Sequence, residues 1–166
     1  MRKTTKAVIA SVLVMGSLGL TACGDSDNTE AADTTMAAAS TTDAVTVTGQ
    51  WARTSPMATD MGAVYMKIEV AEDDDLIGAM VDTSVAAMAQ VHETITKEDG
   101  TMGMQEVKSV AVKAGTTTEL KAGGYHIMLM KLVKPLETGS TISITLKFTK
   151  AGEVVVDVPV LEESPE

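Results

Sequence analysis

The chain contains only two histidines, and each lies close in sequence to paired methionines. His126 is followed at every second position by Met128 and Met130, within Gly123-Gly124-Tyr125-His126-Ile127-Met128-Leu129-Met130. His92 comes about ten residues before Met102-Gly103-Met104. The stretch around His126 is short, apolar and entered through two glycines, so it reads as a β-strand leaving a tight turn. Side chains alternate between faces along a strand. His126, Met128 and Met130 therefore share one face, and Ile127 and Leu129 the other. One face thus carries an imidazole nitrogen and thioether sulfurs within two pleats. With His92 and a sulfur from Met102 or Met104, that is a donor set for a soft metal ion, and Cu(I) fits it because Cu(I) prefers thiolate, thioether and imidazole ligands.

The donor types also suit an oxidising compartment. Thiolates are liable to become disulfides there, whereas thioethers neither deprotonate nor pair. Two methionines and two histidines form a neutral set, which leaves the bound ion a single positive charge. Zn(II), Ca(II) and Mg(II) prefer harder or anionic ligands. The only cysteine, Cys23, lies far from both histidines, so no thiolate completes a blue-copper electron-transfer centre. The bland alternative is that the methionines fill a core, as a flexible apolar residue often does; Met66, Met80, Met88 and Met130 are read that way. No Ser-His-Asp or Cys-His arrangement and no glycine-rich phosphate loop is readable, so the chain is not read as an enzyme.

The elements that must position these residues are mostly strands. Gly62 to Val70 alternates Val64, Met66, Ile68 and Val70 against Tyr65, Lys67 and Glu69. Ile142, Ile144, Leu146 and Phe148 alternate with Thr and Lys, and Val154, Val156, Val158 and Val160 repeat the pattern. Gln90 to Ile95 reads as the strand carrying His92, Glu106 to Val112 as another, and Tyr125 to Leu132 as the strand carrying His126. Ser84 to Ala89 reads as a short helix, and the acidic run Glu72-Asp73-Asp74-Asp75 as a solvated turn. About eight short strands at this spacing, separated by Asp-Gly, Ala-Gly, Gly-Gly and Thr-Gly turns, argue an antiparallel β-sandwich or barrel. It spans residues 45–161, with a tail at 162–166.

The rest of the chain is an address. Arg2, Lys3 and Lys6 precede an apolar run from Ala7 to Leu20, too short for an ordinary membrane-spanning helix. Leu20-Thr21-Ala22-Cys23 resembles the lipobox of bacterial lipoprotein signal peptides, which implies removal of residues 1–22 and lipidation of Cys23. Residues 24–44 are built of Ala, Thr, Ser, Asp and Glu with one Gly, one Asn and one Met, a composition that cannot bury enough apolar surface to fold. A flexible chain of that length spans roughly 25 Å. The expected protein is an extracytoplasmic, membrane-anchored lipoprotein. Removing the three basic residues of the leader leaves ten basic against 23 acidic side chains. So acidic a surface argues against nucleic acid as a partner.

Taken together, the residues resemble the periplasmic copper chaperones of the PCuAC type, whose signature is His, about ten residues, Met, twenty-one residues, then His-x-Met. Here His92 opens it, eleven residues separate His92 from Met104, twenty-one separate Met104 from His126, and Met128 follows after one. The extra residue falls in the turn around Lys97-Glu98-Asp99-Gly100, and the second count favours Met104 over Met102, the alternative ligand. Trp51-Ala52-Arg53, Gly62-Ala63-Val64-Tyr65-Met66, Leu76-Ile77-Gly78-Ala79, Leu120 to Met130 and Lys134-Pro135-Leu136 extend the resemblance over residues 45–160. It implies a cupredoxin-like Greek-key β-sandwich that binds one Cu(I) at an exposed edge through His92, Met104, His126 and Met128. It also implies delivery of that copper toward the CuA centre of cytochrome c oxidase, alongside a Sco-type partner. A copper-buffering lipoprotein with the same site, or a structural surface lipoprotein with none, are the competing readings.

Overall fold

The structure is a computed structural model, and it describes residues 40–55 and 60–165. The signal peptide, Cys23 and most of the linker lie outside the described residues. The described chain forms β1 (Ser40–Thr41), β2 (Val45–Arg53), β3 (Met61–Val70), β4 (Asp74–Val81), β5 (Ala86–Thr96), β6 (Met102–Glu106), β7 (Val110–Val112), β8 (Thr118–Leu120), β9 (Tyr125–Leu132), β10 (Thr141–Phe148) and β11 (Glu153–Leu161).

The alternation read from the sequence is the alternation of burial. Val64, Met66, Ile68 and Val70 of β3, Ile142, Ile144, Leu146 and Phe148 of β10, and Val154, Val156, Val158 and Val160 of β11 all face the core. The sheet runs β2-β11-β10-β4-β5-β9-β3 and closes where β3 pairs back onto β2. The fold is all-β and cupredoxin-like, a barrel-like sheet around one core. Closure leaves the central strands without free edges, which removes their exposed hydrogen-bonding groups. One contact departs from the antiparallel expectation: β11 runs parallel to β2, with Val160 beside Ala52 and Leu161 beside Arg53. The strands β6, β7 and β8 hang on β5, β4 and β3 from outside the closed ring.

Three local expectations are corrected. Ser84 to Ala89 is not a helix. The backbone N–H groups of Val85 and Ala86 donate to the Asp82 carbonyl, at 2.9 and 3.2 Å, and β5 then runs unbroken from Ala86. The local preference of alanine for helix is a fraction of a kcal/mol per residue, and pairing with β9 overrides it. The segment expected as one strand from Glu106 to Val112 is split, because β6 ends at Glu106 and β7 begins at Val110 on a different neighbour. Within the acidic run, Asp74 is buried rather than solvated. Its carboxylate accepts the backbone N–H groups of Asp75, Lys150 and Ala151 at 2.7, 2.9 and 2.9 Å. Burial pushes its pKa up, but those hydrogen bonds outweigh it and hold the group below the usual carboxylate range. Asp74 thereby ties the start of β4 to the β10–β11 turn.

Candidate metal centre

The two histidines stand opposite each other. β5 and β9 pair antiparallel with His92 in register with His126. Residues directly opposite in such a pair carry their Cβ atoms about 5 Å apart on the same face. The two rings lie 6.2 Å apart between centroids. This face is the outside of the barrel, because Val91 and Ile127, the next residues on each strand, are core. The same transverse row continues in both directions. Glu106 of β6 is opposite His92, Tyr65 of β3 lies 6.4 Å from His126, and Trp51 of β2 packs on Tyr65 at 4.9 Å. The aromatic pair walls one side of the histidines and leaves His126 only 3% exposed.

The turn before β9 sets the orientation of His126. Gly123 has φ of 80°, in the left-handed region that a residue with a Cβ avoids. That turn brings the Gly124 carbonyl to within 3.1 Å of His126 Nδ1 and 3.1 Å of the Thr94 backbone N–H. A carbonyl oxygen only accepts, so the imidazole proton sits on Nδ1 and the lone pair on Nε2. His126 Nε2 is buried and has no hydrogen-bond partner among the described residues. His92 is arranged in the opposite sense. Its Nε2 lies 3.3 Å from Gln90 Oε1 and donates to it, and its buried Nδ1 has no partner among the described residues. A buried polar atom without a partner is costly and rare. Two such lone pairs, on rings facing each other across adjacent strands, fit a metal ion between them. The hydrogen bonds to Gly124 and Gln90 fix each ring, as outer-shell contacts would if the two histidines held a metal.

Burial holds the His92 imidazole below the ordinary histidine value. The neighbouring His126 pushes it the same way, and Glu106 pulls it back up. A neutral imidazole is the form that binds metal.

The sulfurs are placed by the same register. Met128 is opposite Gln90, one pleat along β9 from His126 and partly buried. Met104 of β6 is opposite Thr94, and Met102 is opposite Thr96. Both therefore share the face of His92, with Met104 diagonal to it and Met102 one pleat further away. Met104 is 59% exposed. The Thr96 hydroxyl donates to the Met102 sulfur at 3.6 Å. Met128 and Met104 thus lie diagonal to His92 on opposite sides of it, on the outer face that the two histidines share. Among the described residues no three of His, Cys, Asp or Glu converge as a metal site, so nothing there provides a hard-cation cage.

Sequence reasoning missed several participants. Gln90 and Glu106 carry no motif, Trp51 and Tyr65 belong to stretches of the family resemblance that give them no role at the site, and only strand pairing places the four around the histidines. The core assignment holds for Met66, which is fully buried, but fails for Met80 and Met88, each 40% exposed on the outer face. A signal for Met88 exists: it lies at even spacing from His92 along one strand, as Met130 does from His126.

Comparison with known proteins gives the family and the fold. The family model of LpqE-like lipoproteins matches residues 45–160. Protein Lxx21020 of Leifsonia xyli subsp. xyli (strain CTCB07), which is named as a lipoprotein, is 34% identical over 165 residues, 99% of this chain and 95% of that one. Among solved structures, the apo PCuAC domain from PmoF1 superposes with a TM-score of 0.63 at 24% identity, covering 77% of this chain and all of that one. The Cu(I) form of DR1885 from Deinococcus radiodurans gives 0.53 at 31% identity, covering 70% of this chain and 79% of that one. The chain is a member of the LpqE-like lipoprotein family, built on the PCuAC fold.

Proposed function

We propose that the protein is an extracytoplasmic copper chaperone that binds one Cu(I) through His92 Nδ1, His126 Nε2 and the sulfurs of Met104 and Met128. The observation that carries this reading is the pair of unpartnered imidazole lone pairs facing each other in register, with both thioethers on the same face. The Cu(I) form of DR1885, 31% identical to this chain, lends support. It is a binding and transfer protein rather than an enzyme: neutral ligands can leave one at a time to a partner's thiolates.

X-ray absorption of the copper-loaded protein is expected to show both nitrogen and sulfur scatterers. Met104→Leu should weaken binding and Met102→Leu should not. Absence of sulfur from the spectrum would sink the proposal, and the reverse result for the two variants would move the ligand to Met102. We further propose delivery toward the CuA centre of cytochrome c oxidase, with a Sco-type protein as the companion factor. A strain lacking this protein should then assemble an oxidase deficient in CuA, and a normal CuA content would leave the buffering role.

We also propose that the chain is held at the membrane by lipid on Cys23, with residues 24–44 as its tether. The LpqE-like family and the lipoprotein relative support this. Cys23→Ser is expected to move the protein from the membrane fraction to the soluble one. Unchanged fractionation would mean that something other than the Cys23 lipid holds it.

A further inference from the structure

Four residues from His126 along β9, the same outer face presents a second row with no histidine in it. Met130 of β9 is in register with Met61 of β3 on one side and with Met88 of β5 on the other. The pairing of Ala79 with Ala89 places β4 beside β5, and one step along that antiparallel register brings Met80 opposite Met88. The row therefore reads Met61, Met130, Met88, Met80 across four adjacent strands. Met61 is 50% exposed, Met88 and Met80 are 40% exposed, and Met130 is partly buried. Their inward neighbours Leu129 and Ala89 pack in or against the core. These methionines thus fill no gap in the interior.

We propose that this row is a second soft-metal site, made of thioethers alone, for Cu(I). Opposed residues on neighbouring strands carry their Cβ atoms about 5 Å apart. A methionine side chain is unbranched and flexible, so three sulfurs from Met61, Met130 and Met88 can meet at one ion, and Met80 extends the row beyond Met88. Such a set is uncharged and soft, and it selects a soft monovalent cation over Zn(II), Ca(II) or Mg(II). It contains no imidazole, so protons do not compete for it. Four residues of strand separate the row from His126 by about 13 Å, too far for one ion to be shared. Met128 lies halfway between. A groove of about 610 Å³ beside β9 is lined by both Met61 and Met128, so sulfur borders the path from one site to the other. The proposal depends on the copper reading above only for the identity of the ion.

The test is titration of the full-length protein in detergent micelles with Ag(I), an air-stable soft monovalent ion, followed through the methionine methyl resonances. Two equivalents are expected to bind. One should shift Met104 and Met128, and the other Met61, Met88 and Met130. The Met61→Leu/Met88→Leu/Met130→Leu variant, which conserves side-chain volume, should bind one equivalent and retain the Met104 and Met128 shifts. The His92→Ala/His126→Ala variant should still shift the row. Saturation of the wild type at one equivalent with no change at Met61, Met88 or Met130 would overturn the second site and leave the histidine site standing. A triple variant that still takes two equivalents would do the same. Shifts confined to the row, with none at Met104 or Met128, would uphold it and instead remove the histidine site.

Discussion

Replacing His126 by alanine is expected to weaken Cu(I) binding by more than about a hundredfold, since loss of a mere outer-shell partner costs up to about that much. The ring is 3% exposed, and its Nε2 is one of the two buried imidazole lone pairs with no hydrogen-bond partner among the described residues. The fold should survive. The Gly124 carbonyl keeps its bond from the Thr94 N–H when the imidazole is gone, and β9 remains paired to β3 and β5. Competition for Cu(I) against a chelator measures the effect, and circular dichroism checks the barrel. An unchanged dissociation constant would take His126 out of the site and return the chain to a lipoprotein whose histidines are structural.

The second large effect is with pH. Cu(I) takes neutral imidazole, so protons compete at His92 and His126 and not at the methionines. Affinity should be flat above neutrality and fall on the acid side, by about tenfold per pH unit for each ring that the apoprotein protonates. Burial and the His126 ring hold the His92 value below that of an ordinary imidazole, about 6.5. The His92 step therefore begins on the acid side of that value. Glu106→Gln removes the carboxylate that raises it and should move the step further toward acid. The same depression has a sign for folding: the unfolded chain takes up this proton first, so apoprotein stability is lost as pH falls below about 6.5. Cu(I) dissociation constants from pH 5 to 8 test the assignment. A flat profile would remove both histidines from the site.

Much of the site could be read from the chain, for local reasons. Strand period places His126 and Met128 on one face, and alternating Ile, Leu and Val in β10 and β11 give the core faces directly. What could not be read is non-local. That His92 stands opposite His126 depends on β5 pairing with β9, and nothing within either strand specifies the neighbour. The same is true of Tyr65, Trp51 and Glu106. Ser84 to Ala89 misled because local propensity there opposes the tertiary pairing. Met80 and Met88 misled for a different reason: a methionine on an outward face looks, in sequence, like one turned inward until the strand's phase is set by its partners.

The attachment of β6 has a kinetic meaning. His92, His126 and Met128 sit on strands flanked on both sides, whereas Met104 sits on a short strand paired with β5 alone. Strands with one partner open at lower free energy than the barrel wall. In the proposed site, copper would be held by three ligands on the barrel wall and one on a strand with a single partner. The lifetime of the bound ion would then be set by how often that strand opens, and the strength of binding by all four ligands together. A carrier built this way can hold its cargo tightly at rest and still surrender it quickly, because the first bond to break belongs to the loosest part of the frame.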